Sequence, residues 1–286
     1  MRFGPILLPA ALTLLAAAPA GAHDIWLQAD DASLQPGDTL IVRQLLGEEL
    51  AGALGGGEPA RDLPLLLDMT PRFHLITSEG EIDLLSQAGD LVAASRAPVL
   101  ERRVEGAGLA LVAMSHSVLY TEATREEFLE YLAHEGLDPG GYREAMGADE
   151  LQTEGYLRTL KCLVAVGPAA AGDDLHARVL GQEIEMVLRQ NPYRLDPGDE
   201  LEVGVLLRGE PLAGQTVKAY VAPPGETVIR LEAVTGADGV ARFSLERPGL
   251  WLLRLVRLVP CSPVSPVDCD DNRWESYWSA YTFELD

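Results

Sequence analysis

Five histidines and three cysteines carry most of the coordination chemistry open to this 286-residue chain. His23 is the most specific of them. It follows Ala20-Gly21-Ala22, a small-x-small site at which a signal peptidase would cut, so it becomes the first residue of the processed protein. An N-terminal histidine offers an α-amine and an imidazole within one residue, and together they chelate a transition metal. Imidazole suits copper, nickel and zinc. A cut displaced by two residues removes that chelate. The plainer alternative is that some residue must come first, and that Ile25-Trp26-Leu27 only anchors a strand.

A second imidazole would complete a three-nitrogen set, which favours copper(II) or nickel(II) when the nitrogens share a plane. His116 is the preferred partner, because it closes the apolar run Leu109–Ser115 at a strand end where a ligand can emerge. His74 is the second choice; in Arg72-Phe-His-Leu-Ile76 it shares a strand face with Arg72 and Ile76. His134 sits on a helix beside Glu135, and His176 in a polar linker after Gly172-Asp-Asp174. A lone histidine is more often packed or solvated than a ligand, and both read that way. Met114 could add a soft ligand but reads as core.

Cys261 and Cys269 bracket Ser-Pro-Val-Ser-Pro-Val-Asp. A disulfide there would stabilise by about 2.5 kcal/mol on the chain-entropy account and fits an oxidising compartment. Their x7 spacing is not a zinc signature. Cys162, in the apolar run Cys162–Val166, reads as a buried inert thiol. The chain has no Ser-centred elbow, Walker loop, dinucleotide fingerprint or HExxH helix. Acids are everywhere, but nothing singles out a catalytic pair.

The elements that must position these residues begin with a secretory signal over residues 1–22. Arg2 precedes an apolar stretch, Ile6–Ala18, too short at about 13 residues for a membrane span, which needs roughly 20. The expected location is the periplasm or beyond, with no integral membrane segment in the mature chain. The formal net charge of −22 repels phosphate backbones and argues against nucleic acid, while 47% apolar residues suffice for a core. Removing the signal takes away Arg2 and no acid, which makes the mature chain −23.

The expected fold is mainly β: two β-sandwich domains of immunoglobulin or transthyretin type, with a small helical insertion between them. Leu34-Gln-Pro-Gly-Asp-Thr-Leu40 and Leu195-Asp-Pro-Gly-Asp-Glu-Leu201 resemble each other, and each reads as a turn opening a strand. The first sandwich spans 23–120, with strands at 24–28, 38–46, 72–78 and 108–115 and a loose glycine loop at 52–57. Residues 121–160 are acidic, net −7; Thr124-Arg-Glu-Glu127 is a capping box, Gly136 ends that helix, and 142–160 reads as further helix. A strand and linker fill 161–182. The last sandwich, 183–286, has strands at 183–189, 200–207, 215–222, 227–234, 240–246, 250–258 and 277–285, separated by Pro- and Gly-rich turns.

Two resemblances follow from these residues. Pro211-Leu-Ala-Gly-Gln-Thr-Val217, Thr235-Gly-Ala-Asp-Gly-Val-Ala-Arg-Phe243 and Pro248-Gly-Leu-Trp251 are similar to the transthyretin-like, or carboxypeptidase-regulatory-like, module. The longer series is His23-Asp-Ile-Trp-Leu27, Pro36-Gly-Asp38, Phe128–Leu137, Tyr156–Lys161, Asn191-Pro-Tyr193, Trp274–Ala280 and Thr282–Leu285. It resembles a bacterial exported family of unknown function, labelled as nickel-uptake proteins or periplasmic components of cobalt/nickel transport. The resemblance implies export, a β-rich fold and an association with metal uptake. The leading expectation is therefore a non-enzymatic periplasmic protein that binds nickel or cobalt, with copper also open. It would present the metal to a membrane transporter. The alternative is a structural or interaction sandwich of the envelope that binds no metal. A copper oxidase of the histidine-brace type ranks last.

Overall fold

Two short turns show how the sequence starts its strands. In Pro36-Gly-Asp38 and Pro197-Gly-Asp199 the glycines take left-handed φ values of 98° and 97°, which a side chain would resist. Each aspartate carboxylate accepts the backbone N–H three residues back, Gln35 at 2.8 Å and Asp196 at 2.9 Å. Each aspartate N–H donates to that same residue's carbonyl at 3.0 Å. The two turns resembling each other in sequence are the same turn in structure.

The computed structural model describes residues 24–47, 50, 60–86 and 97–285; the expected signal segment and cleavage site, His23 and the 52–57 loop lie outside them. The N-terminal strands are β1 (Asp24–Ala29), β2 (Ser33–Leu34), β3 (Thr39–Gly47), β4 (Arg61–Leu63), β5 (Arg72–Thr77) and β6 (Gly80–Asp83). β7 (Leu100–Arg103), β8 (Gly108–Ser115) and β9 (Leu119–Thr124) follow, then helices α1 (Arg125–Glu135) and α2 (Pro139–Met146). Next come β10 (Leu151–Val166), β11 (Ile184–Leu188), β12 (Glu200–Leu207), β13 (Glu210–Pro211) and β14 (Thr216–Ala222). β15 (Ile229–Val234), β16 (Val240–Ser244), β17 (Gly249–Pro260) and β18 (Trp274–Leu285) end the chain.

Residues 122–152 form one compact unit, and the remaining described residues another. In the smaller unit the capping box is complete: Glu127 N–H donates to Thr124 Oγ1 at 3.3 Å and Thr124 N–H to Glu127 Oε2 at 2.8 Å. Gly136 closes α1 in the left-handed region, φ 72°. Of the helix expected over 142–160, only 142–146 is helical, in α2. It stops at Met146, and Leu151–Val166 is the sixteen-residue strand β10.

The larger unit is built on a ten-stranded sheet ordered β15-β14-β17-β18-β10-β8-β5-β6, with β2 and β9 also paired to β10. β18 and β10 run parallel from Glu154↔Trp274 to Cys162↔Thr282. Alternation along β10 divides its side chains between two cores. Leu157, Leu163 and Ala165 pack with Ile184, Met186, Val203 and Phe243, from the sheet of β11, β12, β13 and β16. Leu160, Cys162, Val164 and Val166 pack with Trp26, Leu27, Leu40 and Val42, from the sheet of β1, β3, β4 and β7. The protein is mainly β, and its two sandwiches share their middle sheet.

A buried ion pair ties that sheet to one cover. Lys161 Nζ lies 2.6 Å from Glu185 Oε1 and donates to Met186 O at 2.9 Å. Glu185 also accepts the N–H groups of Leu180, Gly181 and Gln182. Burial lowers the Lys161 pKa, and Glu185 opposes that shift.

Candidate functional site

The first described residue, Asp24, is held by charge. Its Oδ1 lies 2.8 Å from Arg254 Nε, and both side chains are almost fully buried. Arg254 projects from β17 on the same face as Leu252, where β1 and β3 supply the cover. Next to it, Arg158 of β10 stands directly across from Trp278 of β18, its guanidinium 4.2 Å from the indole centroid. Arg254 lies 5.7 Å from the same ring. These are cation–π distances, and they order two arginines around one tryptophan. Asp24, Ile25, Arg158, Arg254, Trp278 and Ser279 line a cavity of about 10 Å³, room for one water at most.

His116 joins this cluster through Arg158. It lies just past the end of β8, as the sequence predicts, and its backbone N–H donates to Arg158 O at 2.9 Å. Its Nε2 faces Gln44 Nε2 at 3.4 Å, and Gln44 is opposite Leu27 in the β1–β3 pairing. Burial, and secondarily the charge of Arg158, lowers the His116 pKa to about 4. The ring is therefore neutral at physiological pH, the protonation state that binds a metal. Arg158 also opposes any other cation placed nearby.

His74 is on the other face of the sheet. Phe73 and Leu75 point into the core beneath β1 and β3, so His74 points with Ile76 toward the opposite cover. Its Nδ1 lies 2.7 Å from Glu81 Oε1, while Glu81 Oε2 accepts from Arg178 at 2.6 Å. A site containing both His74 and His116 is not assembled; strand alternation separates them. His23, the third expected ligand, is outside the described residues. Met114 is fully buried, opposite Phe73. Cys162 is buried and its thiol is pushed up to about 11, so it is inert as expected. Cys261 and Cys269 are disulfide-bonded.

His134 is 3.4 Å from Glu135 within the smaller unit. His176, in the polar linker after Asp174, is buried, and burial lowers its pKa. An open hollow of about 590 Å³ is lined by Thr77, Ser78, Asp173, Asp174 and Arg178. Its Asp173 already accepts N–H groups of Leu109 and Leu175 through its two oxygens. Sequence reasoning missed Asp24, Gln44, Arg158, Arg254 and Trp278. Arg254 did carry a signal, because a charge inside Leu250–Leu258 must find a partner when that strand is buried.

The sequence model of a domain of unknown function, DUF4198, matches residues 20–257. The chain belongs to the DUF4198 family. The match contains Asp24, Gln44, His74, His116, Arg158 and Arg254, and it ends inside β17. β18, which supplies Trp278 and lies between β17 and β10 in this DUF4198 protein, falls beyond it. No curated protein matches the chain. One solved structure, described as a tetra-tandem repeat in the extending region of a large adhesion protein, matches 92% of this chain at 11% identity with a TM-score of 0.23. The match spans 50% of that adhesin fragment, and a score so low carries no argument about fold or function.

Proposed function

We propose that this DUF4198 protein is exported and binds a divalent transition metal, nickel or cobalt, which it presents to a membrane uptake system. The observation that supports this reading is the His116 imidazole. It is kept neutral down to a pH of about 4, in the cluster that fixes the start of β1. Asp24 is locked to Arg254 there by a buried ion pair at 2.8 Å. The amine and imidazole of His23 would supply two further nitrogens. The Cys261–Cys269 disulfide accords with an oxidising compartment, and no described helix is long and apolar enough to cross a membrane. The strands over 211–251 are consistent with the transthyretin-like module as the C-terminal part of this carrier.

The test is calorimetry on protein beginning at His23, with nickel, cobalt, copper and zinc. Nickel or cobalt should bind below micromolar Kd. One extra residue before His23, or His116→Gln, should weaken binding by about tenfold or more, the loss of roughly 1.4 kcal/mol or greater. If none of the four metals binds below micromolar, the reading fails and the envelope-interaction alternative stands in its place.

A further inference from the structure

A buried carboxylate lies against the Cys261–Cys269 disulfide. Glu275, at the start of β18, is 4% exposed, and its Oε2 has no hydrogen-bond partner among the described residues. A carboxylate oxygen of Glu275 and the sulfurs of Cys261 and Cys269 all lie within 4.8 Å of one another. Burying a carboxylate oxygen without a hydrogen bond is costly, and this carboxylate is held against two sulfurs. The Arg208 guanidinium, which feels the Glu275 charge, donates its hydrogen bonds to Tyr277 OH at 2.6 Å and to Glu183 at 3.1 Å, and Tyr277 in turn faces Glu275.

We infer that reduction of Cys261–Cys269 opens a metal site made of two thiolates and the Glu275 carboxylate, suited to a borderline-soft divalent cation such as zinc. A tetrahedral site with metal–sulfur bonds of about 2.3 Å sets its ligands about 3.8 Å apart. The sulfurs must separate and the carboxylate must close by about 1 Å, which a seven-residue loop permits. The loop ends do not drift after reduction. Cys261 N–H donates to Arg273 O at 2.8 Å, Pro260 pairs with Trp274, and Val267 is buried against Gly155. Both cysteines are half-buried, so a reductant has access. The physiological reductant is an exported protein dithiol. Its first thiolate attacks one sulfur, and its second resolves the mixed disulfide. Two electrons and two protons pass to Cys261 and Cys269, and the donor leaves as a disulfide. The metal then displaces those two protons as the thiolates coordinate it.

The experiment reduces the full processed chain with a phosphine, removes the phosphine without oxygen, and titrates cobalt(II) as an optical probe, with zinc in competition. One equivalent beyond any taken up by the unreduced protein should bind with a thiolate-to-cobalt charge-transfer band, and that equivalent should release two protons. Unreduced protein and Cys261→Ser/Cys269→Ser should give no such band. Glu275→Gln should weaken binding by about tenfold or more, at least the loss seen when an outer partner of a ligand is removed. His116→Gln should leave it unchanged, which keeps this site distinct from the one proposed above. The inference is overturned if folded, reduced protein gives no band, if Glu275→Gln binds as tightly as the parent, or if reduction abolishes the sheet circular dichroism.

Discussion

Replacing Glu185 by Gln tests whether the middle sheet is fastened to its cover by the Lys161–Glu185 pair. The parent geometry is a 2.6 Å contact between two almost fully buried side chains. Gln keeps the shape and one acceptor oxygen for the N–H groups of residues 180–182, but it leaves the Lys161 ammonium buried without its counter-charge. Breaking a buried pair from one side costs about 3–5 kcal/mol. That is a large share of the 5–15 kcal/mol typical of a folded domain. Lys161→Met in the same background removes the orphaned charge, so the double variant should be more stable than Glu185→Gln alone. Urea unfolding followed by circular dichroism, with all four proteins in one cycle, reads both quantities. The pH response should also change. The folded-state pKa of Lys161 lies below 10.5, so the unfolded chain holds more protons between those two values and stability rises with pH across that window. Without Glu185, which raises the pKa, the window should start at a lower pH. A loss under about 1 kcal/mol, or no rescue by Lys161→Met, would refute the reasoning.

Two further outcomes follow from single side chains. His116 has a folded pKa of about 4 against an ordinary 6.5, so the unfolded state takes up its proton first, and stability falls as pH drops from 6.5 to about 4. His116→Gln should remove about 3 kcal/mol of that acid loss, and proton NMR should show the parent ring titrating near 4; titration near 6.5 contradicts the burial argument. Gly155→Ala would place its Cβ inside the Val267 side chain, so it should destabilise by about 1–3 kcal/mol and loosen the disulfide loop. Unchanged urea midpoints and unchanged hydrogen exchange in that loop would contradict this packing.

The strands flanked by turn formers were legible in the sequence. All seven strands expected after residue 183 are present within a few residues, because Pro and Gly mark their ends. β10 was not legible over 151–160. Its polar residues Glu154 and Thr159 are buried through partners on other strands, which hides the alternation a half-buried strand shows. Its later half, Leu160–Val166, is covered on both faces and so reads as one apolar run. That same two-sided burial is why two sandwiches sharing a sheet look like separate domains in sequence. The position of His116 at a strand end was legible. Its separation from His74 was not, because the face each occupies depends on pairing partners distant in sequence.

The most direct test of the metal reading is elemental analysis of the untagged protein, purified from its own exported compartment with its N-terminus verified by mass spectrometry. The account predicts a chain beginning at His23 that carries close to one equivalent of nickel or cobalt and loses it in the His116→Gln variant. A correctly processed chain that starts at His23 and is free of transition metal would contradict it.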